Sequence, residues 1–500
     1  MIKITLAIFL FIASSYVIVD GQTLPHNNAF TFKGKVKNLV DHQRYIEQAG
    51  IDNPCLIEEY CRLMKRNPKL FIIPFAIGEA LQKINDPRCI YFLQTATELK
   101  ADYADAWVAL SHYNAYNSDA EATIKYLKRA VDVAPKNSNF RYELAIQFKD
   151  IDPGKSDSLM LDMVHRFPNE ENAIKGLFQL TFYPYNQNEK GAYFEQIYSL
   201  GLKDQSNWFW GGMKYYFDYL INKDENKAFE LALKMVLNVK KNRTQWKAKL
   251  QVARSFIEAG NLLNQSNSAE ALNVLDNINL GNSPTAGEEI DAEEKLVLRK
   301  ADAIAKGGNL QYALNTLMGY YIKTPTDSVY KGVLLYAKEL NLDNDNILNQ
   351  INKIRNENSL KLTNFSLEDL TTHKSVSLSD YQGKVILLTF WFPSCEPCLQ
   401  EFKYFEKIIK QTANENLVYL AVNSGNVQEK RVLPLIKAKG YTFVPLRDTP
   451  NKSIGNLPLV QSLPANFLID KEGRVVFNDF QIGESNQQTL ELMIASLLSQ

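Results

Sequence analysis

A pattern of large and small residues that returns over a unit of about 34 residues constrains this chain more than any other feature. In "ADAWVALSHYNAYNSDAEATIKYLKRAVDVAP" the large Trp107, Leu110 and Leu127 are set among the small Ser111 and Ala130, and Pro135 ends the unit. A second unit starts near Ser138 and offers Leu144, Ala145, Phe148, Leu161 and Val164, with Pro168 one residue early. A third, "VLRKADAIAKGGNLQYALNTLMGYYIKTP", places Ala301, Ile304, Ala313, Leu317 and Pro325 in register. Weaker copies stand at "DENKAFELALKMV" and "NSAEALNVLDNI". Small residues at fixed places let two helices interlock, and a pair that cannot bury its own apolar face must stack on the next. Residues 38–350 are therefore predicted to be helical repeats.

This register resembles a tetratricopeptide array, which implies an all-α solenoid with a concave face open to a protein or peptide partner. The aromatic run "NWFWGGMKYYFDYL", Trp208 to Leu220, could line such a groove, but large rings mostly end up buried, and it is read as packing between helices. Asn53 before Pro54 and Asp86 before Pro87 read as helix starts, each with a side-chain cap and a proline in the first turn.

Where the repeats fade, Ile347, Leu348, Ile351 and Ile354 still fit one short helix, and after 351–358, read as a linker, the grammar changes. "NFSLEDLTTHKSVSLSDYQG" turns like a hairpin, and "KVILLTFW" is a continuous apolar run suited to a strand buried on both faces. "EPCLQEFKYFEKIIKQT" then runs at helical spacing. "NLVYLAV", "VQEKRVLPLIKAKG", "TFVPLRD", the pair "ANFLIDKEGRVVFND" and "QQTLELMIASLLS" follow as strand, helix, strand, hairpin and helix. Residues 359–500 are predicted to form a separate α/β domain with a mixed sheet.

Cys395 and Cys398 fall between that buried strand and that helix. Unpaired N–H groups at a helix start favour a thiolate, the nucleophile of disulfide exchange, and two intervening residues let the sulfurs close a small ring. Other uses of the pair fit less well. Zinc wants four ligands, and of the five histidines only His373 falls in this part of the chain. A peroxidatic cysteine wants a threonine three residues before it, whereas Thr389 stands six before Cys395. A redox-inert structural disulfide rarely sits on a strand-to-helix turn. Glu396, between the cysteines, opposes the field of the helix and favours the thiol forms, which points to a reductant.

Residues 359–500 resemble the extracytoplasmic thioredoxin-like family that includes the TlpA and ResA type reductases. The likeness rests on "VSLSDYQGKVILLTFW", on "CEPC" followed by Glu401, and on "SLPANFLIDKEGRVV". It implies that Cys395 attacks and Cys398 resolves. It also implies that Pro464 is a cis-proline turning the backbone of Leu463 toward the cysteines, and that Glu401 is a buried carboxylate beside Cys398. No cofactor is implied beyond the cysteine pair, and no metal. The partners implied are a disulfide-containing client protein and an upstream thiol electron donor. The chain departs from the family pattern at Ser394, where tryptophan is usual, at "Phe-Pro" 392–393, at Lys403, at Thr389 and at Ala465. Trp391, Ser394, Pro397 and Leu463 are thus assigned with Glu396 to tuning and to the substrate groove.

Export is read from the start of the chain. Lys3 precedes an apolar run from Ile4 to Val19, and Val-Asp-Gly then suits cleavage between Gly21 and Gln22. This gives a signal segment 1–21, an extension 22–37 and a periplasmic or secreted protein, tethered to the membrane if the segment stays. No integral membrane domain is expected after its removal. Lys+Arg and Asp+Glu both number 56, which removes any bulk attraction to nucleic acid. Cys55, Cys61 and Cys89 are read as buried apolar residues; Cys55 and Cys61, six apart on one helix, face differently, and a Cys61–Cys89 pair is the alternative. The competing function is a repeat-type interaction protein whose redox domain is structural or vestigial.

Overall fold

The computed structural model describes residues 31–149, 151–182, 189–201, 206–280, 292–412, 416–449, 454–457, 460, 462–478, 480–483 and 486–499. The expected signal segment 1–21 lies outside them, as does the side chain of Glu396. Among the described residues no helix is long and apolar enough to cross a membrane. The chain divides into two compact units, residues 1–113 with 125–134, and residues 114–124 with 135–500.

In the first unit, helices from Leu39 to Leu99 close over a core of Leu56, Tyr60, Ile73, Ile77, Leu81 and Leu93. The Asn53 side chain caps the helix Pro54–Arg66 by accepting from the Cys55 N–H at 3.0 Å, as its position before a proline predicts. Asp86 makes the same kind of side-chain bond, but the helix begins later. It accepts from the Arg88 N–H at 2.9 Å and pairs with the Arg88 guanidinium, and the next helix starts only at Cys89. Cys61 and Cys89 are free thiols rather than a disulfide, and burial pushes the Cys89 thiol up to about 12.

The helices from Ser138 to Glu357 in the second unit pack mainly on their neighbours in the chain. Most repeat-register residues are core: Leu144, Ala145, Phe148, Val164, Ala301, Ile304, Ala313 and Leu317 are all buried. Leu161 is not; it is 36% exposed on the helix Pro153–Arg166. The aromatic run forms the helix Asn207–Lys223, with Phe209, Tyr216 and Phe217 buried and Trp208 edge-on to Phe178 at 5.3 Å. It packs, as expected. The short helix expected over Ile347, Leu348, Ile351 and Ile354 forms, and it extends into residues 351–358, read as a linker. The helix Asn344–Glu357 runs through them, with Ile351 and Arg355 buried, so this segment is anchored structure and not a connector.

A six-stranded sheet follows, built from β1 (Leu360–Lys361), β4 (Val385–Trp391), β5 (Leu417–Asn423), β6 (Val444–Arg447), β7 (Ala465–Ile469) and β8 (Arg474–Asn478). Its order is β1-β8-β7-β4-β5-β6, with β4 parallel to β5 and antiparallel to β7. A separate hairpin, β2 (Ser366–Glu368) with β3 (Ser375–Ser377), pairs Leu367 with Val376. All seven residues of β4 are buried, because alternate side chains serve two cores. Val385, Leu387 and Trp391 enter one, closed by the helices Glu396–Thr412, Glu429–Lys439 and Gln487–Leu498. Ile386, Leu388 and Phe390 enter the other, with Leu367 and Leu457. This is the mixed α/β sheet predicted for the C-terminal part, and it carries the cysteine pair at the end of its central strand.

Candidate functional site

Strand β4 ends at Trp391, and a tight turn, Cys395 N–H to Phe392 O at 2.9 Å, sends the chain into the helix Glu396–Thr412. The Leu399 N–H donates to Cys395 O at 3.1 Å, so Cys395 occupies the capping position of that helix. Pro397, in the first turn, removes an N–H that would have lacked a helical acceptor in any case. Cys395 and Cys398 form a disulfide with Cα atoms 5.3 Å apart. Cys398 is fully buried and Cys395 is 5% exposed. Ser394 and Pro397 beside them are exposed, Leu463 is half-buried, and the Leu463–Pro464 peptide is cis. The β4–β7 register pairs Phe390 with Ala465, so the next residues along are Trp391 on one strand and Pro464 before the other.

Trp391 is not a groove residue. Its ring is fully buried, edge-on to Phe402 at 5.0 Å and to Phe443 at 5.5 Å. The alternation along β4 sends it into the helix-covered core, and it can act on the cysteines only as packing. Its Nε1 has no hydrogen-bond partner among the described residues.

Glu401 lies one turn beyond Cys398 on the same helix and is 4% exposed. Its Oε2 accepts from Asn466 Nδ2 at 2.8 Å and its Oε1 from the Ile482 N–H at 2.8 Å. Burial pushes its carboxyl up to about 7, and these two donors pull against that rise. Asn466 is a member of the site that sequence reasoning missed, and Thr389 stood there only as a departure from the family pattern. Each is a polar residue inside an apolar strand, "ANFLI" and "VILLTFW", and the two face each other in the register. A buried polar group requires a partner, so two such interruptions in neighbouring strands were the available signal.

A pH effect on stability follows. An unfolded glutamate titrates near ~4.3. The native carboxyl holds its proton up to about 7, so the folded state binds more protons between the two values. The resulting stability is fully present below the unfolded value and is lost as pH rises through about 7. Between pH ~5 and ~8 the wild-type chain is expected to lose up to ~3 kcal/mol relative to Glu401→Gln, read by urea unfolding of the oxidised protein. Equal pH dependence in the two proteins would show that Glu401 does not carry the effect.

Residues 359–478 match the family model described as "AhpC/TSA family". The thiol-disulfide oxidoreductase ResA of Bacillus subtilis (strain 168) is 38% identical over 113 residues, 23% of this chain and 62% of its own. The thioredoxin-like protein YneN of the same organism is 36% identical over 129 residues, 25% of this chain and 72% of its own. ResA of Bacillus anthracis is 32% identical over 128 residues, 26% of this chain and 71% of its own. The chain thus spans 62% of the first of these relatives and a little over two thirds of the other two. With its cysteine pair at the head of a helix and at the end of a central strand, this chain belongs, through its C-terminal domain, to the thioredoxin-like thiol-disulfide oxidoreductases.

Proposed function

We propose that this protein is an exported, periplasmic or secreted, thiol-disulfide oxidoreductase that reduces protein disulfides. The helices of about 38–350 bring a partner to the redox domain 359–500. The observation that carries this reading is the Cys395–Cys398 pair at the head of a helix, with a buried carboxyl one turn further on. In the reduced enzyme the Cys395 thiolate attacks one sulfur of a client disulfide. A Cys395–client bond forms and the other client sulfur leaves as a thiolate. Cys398 then passes its proton to the Glu401 carboxylate and attacks Cys395 Sγ. The Cys395–Cys398 bond closes, the second client sulfur leaves, and two electrons have passed from the enzyme to the client. An upstream dithiol donor restores the pair by the reverse exchange. Ser394, Pro397 and Leu463, exposed or half-buried around the pair, form the edge against which an extended client segment lies beside Pro464.

The test uses the chain from Gln22 onward with insulin as the disulfide substrate. Wild type is expected to turn over, and Cys398→Ser to accumulate one enzyme–insulin mixed disulfide visible by mass. An acidic residue between the two cysteines in the sequence favours the thiol forms, so the reduction potential is expected below about −200 mV, on the reducing side of protein disulfide isomerase. No turnover by wild type together with no adduct by Cys398→Ser would leave the interaction-protein reading standing. A potential near ~−120 mV would reverse the direction.

A further inference from the structure

Asn466 uses both of its side-chain donors and one of its acceptor sites inside the domain. Nδ2 donates to Glu401 Oε2 at 2.8 Å and to Phe480 O at 2.9 Å, and Oδ1 accepts from Thr389 Oγ1 at 2.8 Å. A backbone carbonyl can only accept, so the amide is turned one way: its NH2 must face Phe480 and Glu401. Asn466 and Thr389 are both fully buried, so water cannot substitute for either partner. The contact joins residues 65 positions apart, and β4 and β7 hold it in place through the Thr389–Asn466 register pair.

We propose that Asn466, braced by Thr389, is the positioning residue for Glu401, holding the carboxylate one turn from Cys398 and favouring its ionised form so that it accepts the Cys398 proton. This rests on the exchange mechanism above. Without the donor, the Glu401 carboxylate keeps only the Ile482 N–H and loses preference for its charged form. Its proton affinity rises, and the step in which Cys398 gives up a proton moves to higher pH.

Few other groups compete for this role. Cys398 precedes Glu401 on its own helix, and Glu406 follows it but is occupied by the Thr442 N–H and hydroxyl. From β5, Tyr419 faces the same core, and burial holds its phenol well above its ordinary range, so it stays neutral. The helices Glu429–Lys439 and Gln487–Leu498 present Val432, Leu435, Leu490, Met493, Ile494 and Leu497. The segment after β8 presents the Phe480 carbonyl and the Ile482 N–H.

The experiment has two readouts on the chain from Gln22 onward. The infrared band of a protonated buried carboxyl, identified by its loss in Glu401→Gln, is followed against pH in the oxidised protein. Its midpoint is expected to rise by about one unit or more in Asn466→Leu, since a hydrogen bond to a charged group is lost. A smaller rise is expected in Thr389→Val, which keeps the side-chain volume and serves should Asn466→Leu fail to fold. The second readout is the pH profile of insulin release from the mixed disulfide. It should shift by the same amount in Asn466→Leu and not shift further when Glu401→Gln is already present. An unmoved infrared midpoint in both variants overturns the proposal. So does a release rate that falls equally at every pH, the mark of a purely structural residue. If wild type reduces no disulfide at all, the mechanism fails, and the infrared midpoint still decides whether Asn466 holds Glu401.

Discussion

Cys395→Ser is expected to abolish insulin reduction at every pH, a loss of at least about a thousandfold, with the fold intact. A serine hydroxyl does not ionise near neutrality, so the field at the head of the helix Glu396–Thr412 has no anion to stabilise there. The order of events gives the result its meaning. Cys395 caps the helix and is 5% exposed, whereas Cys398 is fully buried. Only the first can meet a client sulfur before any rearrangement. Cys395→Ser should therefore form no mixed disulfide, while Cys398→Ser should form one and stop. Adducts on both variants would make the two sulfurs interchangeable and remove the assignment of attacker and resolver. Equal turnover by wild type and Cys395→Ser would remove the redox function altogether.

What could be read from the sequence divides along a physical line. The cysteine pair and its place at a strand-to-helix turn follow from local spacing, which also sets Glu401 one turn further on, whereas its burial was implied only by the family resemblance. Spacing along one helix is geometry that the chain cannot evade. The buried strand β4 was legible for the same reason: an apolar run of its length is covered on both faces. Which face each side chain serves was not, and Trp391 was assigned to the groove when the alternation of β4 takes it into the core. Asn466 and Thr389 stand 77 positions apart, so their pairing depends on a strand register that no short window contains. Arg355 fell in a stretch read as linker because asparagines crowd it. Its neighbours Ile347 and Ile351 nonetheless keep the helix buried on one side.

Arg355 carries the second large effect. Its side chain leaves the helix Asn344–Glu357 and is almost wholly buried. It donates to Ile322 O at 3.0 Å, to Tyr321 O at 3.2 Å and to Ser496 Oγ at 3.3 Å, and it lies over the Phe477 ring at 4.7 Å. The two carbonyls end the helix Leu310–Lys323, where no further turn supplies N–H groups. Tyr321 O is the harder case, because the residue four further on is Pro325, which has no N–H to offer.

Burial pulls the guanidinium down to about 10, so it stays charged at pH 7, and its desolvation opposes the contact by several kcal/mol. Against that stand two carbonyls at ~1–3 kcal/mol each, the ring contact and the packing of the side-chain stem. The sum favours the native arginine. Arg355→Ala is expected to lose ~4 kcal/mol in urea unfolding, and Arg355→Met, which keeps the stem volume, ~2 kcal/mol. A neutral or stabilising Arg355→Met would mean that desolvation wins.

The contact also reaches toward the site. Phe477 is in β8, and the segment just after it supplies the Phe480 carbonyl to Asn466 and the Ile482 N–H to Glu401. Loosening the anchor under β8 should therefore weaken hydrogen-exchange protection at Ile482 before it alters the cysteines themselves. Full protection of that N–H in Arg355→Ala would separate the anchor from the carboxylate it sits behind.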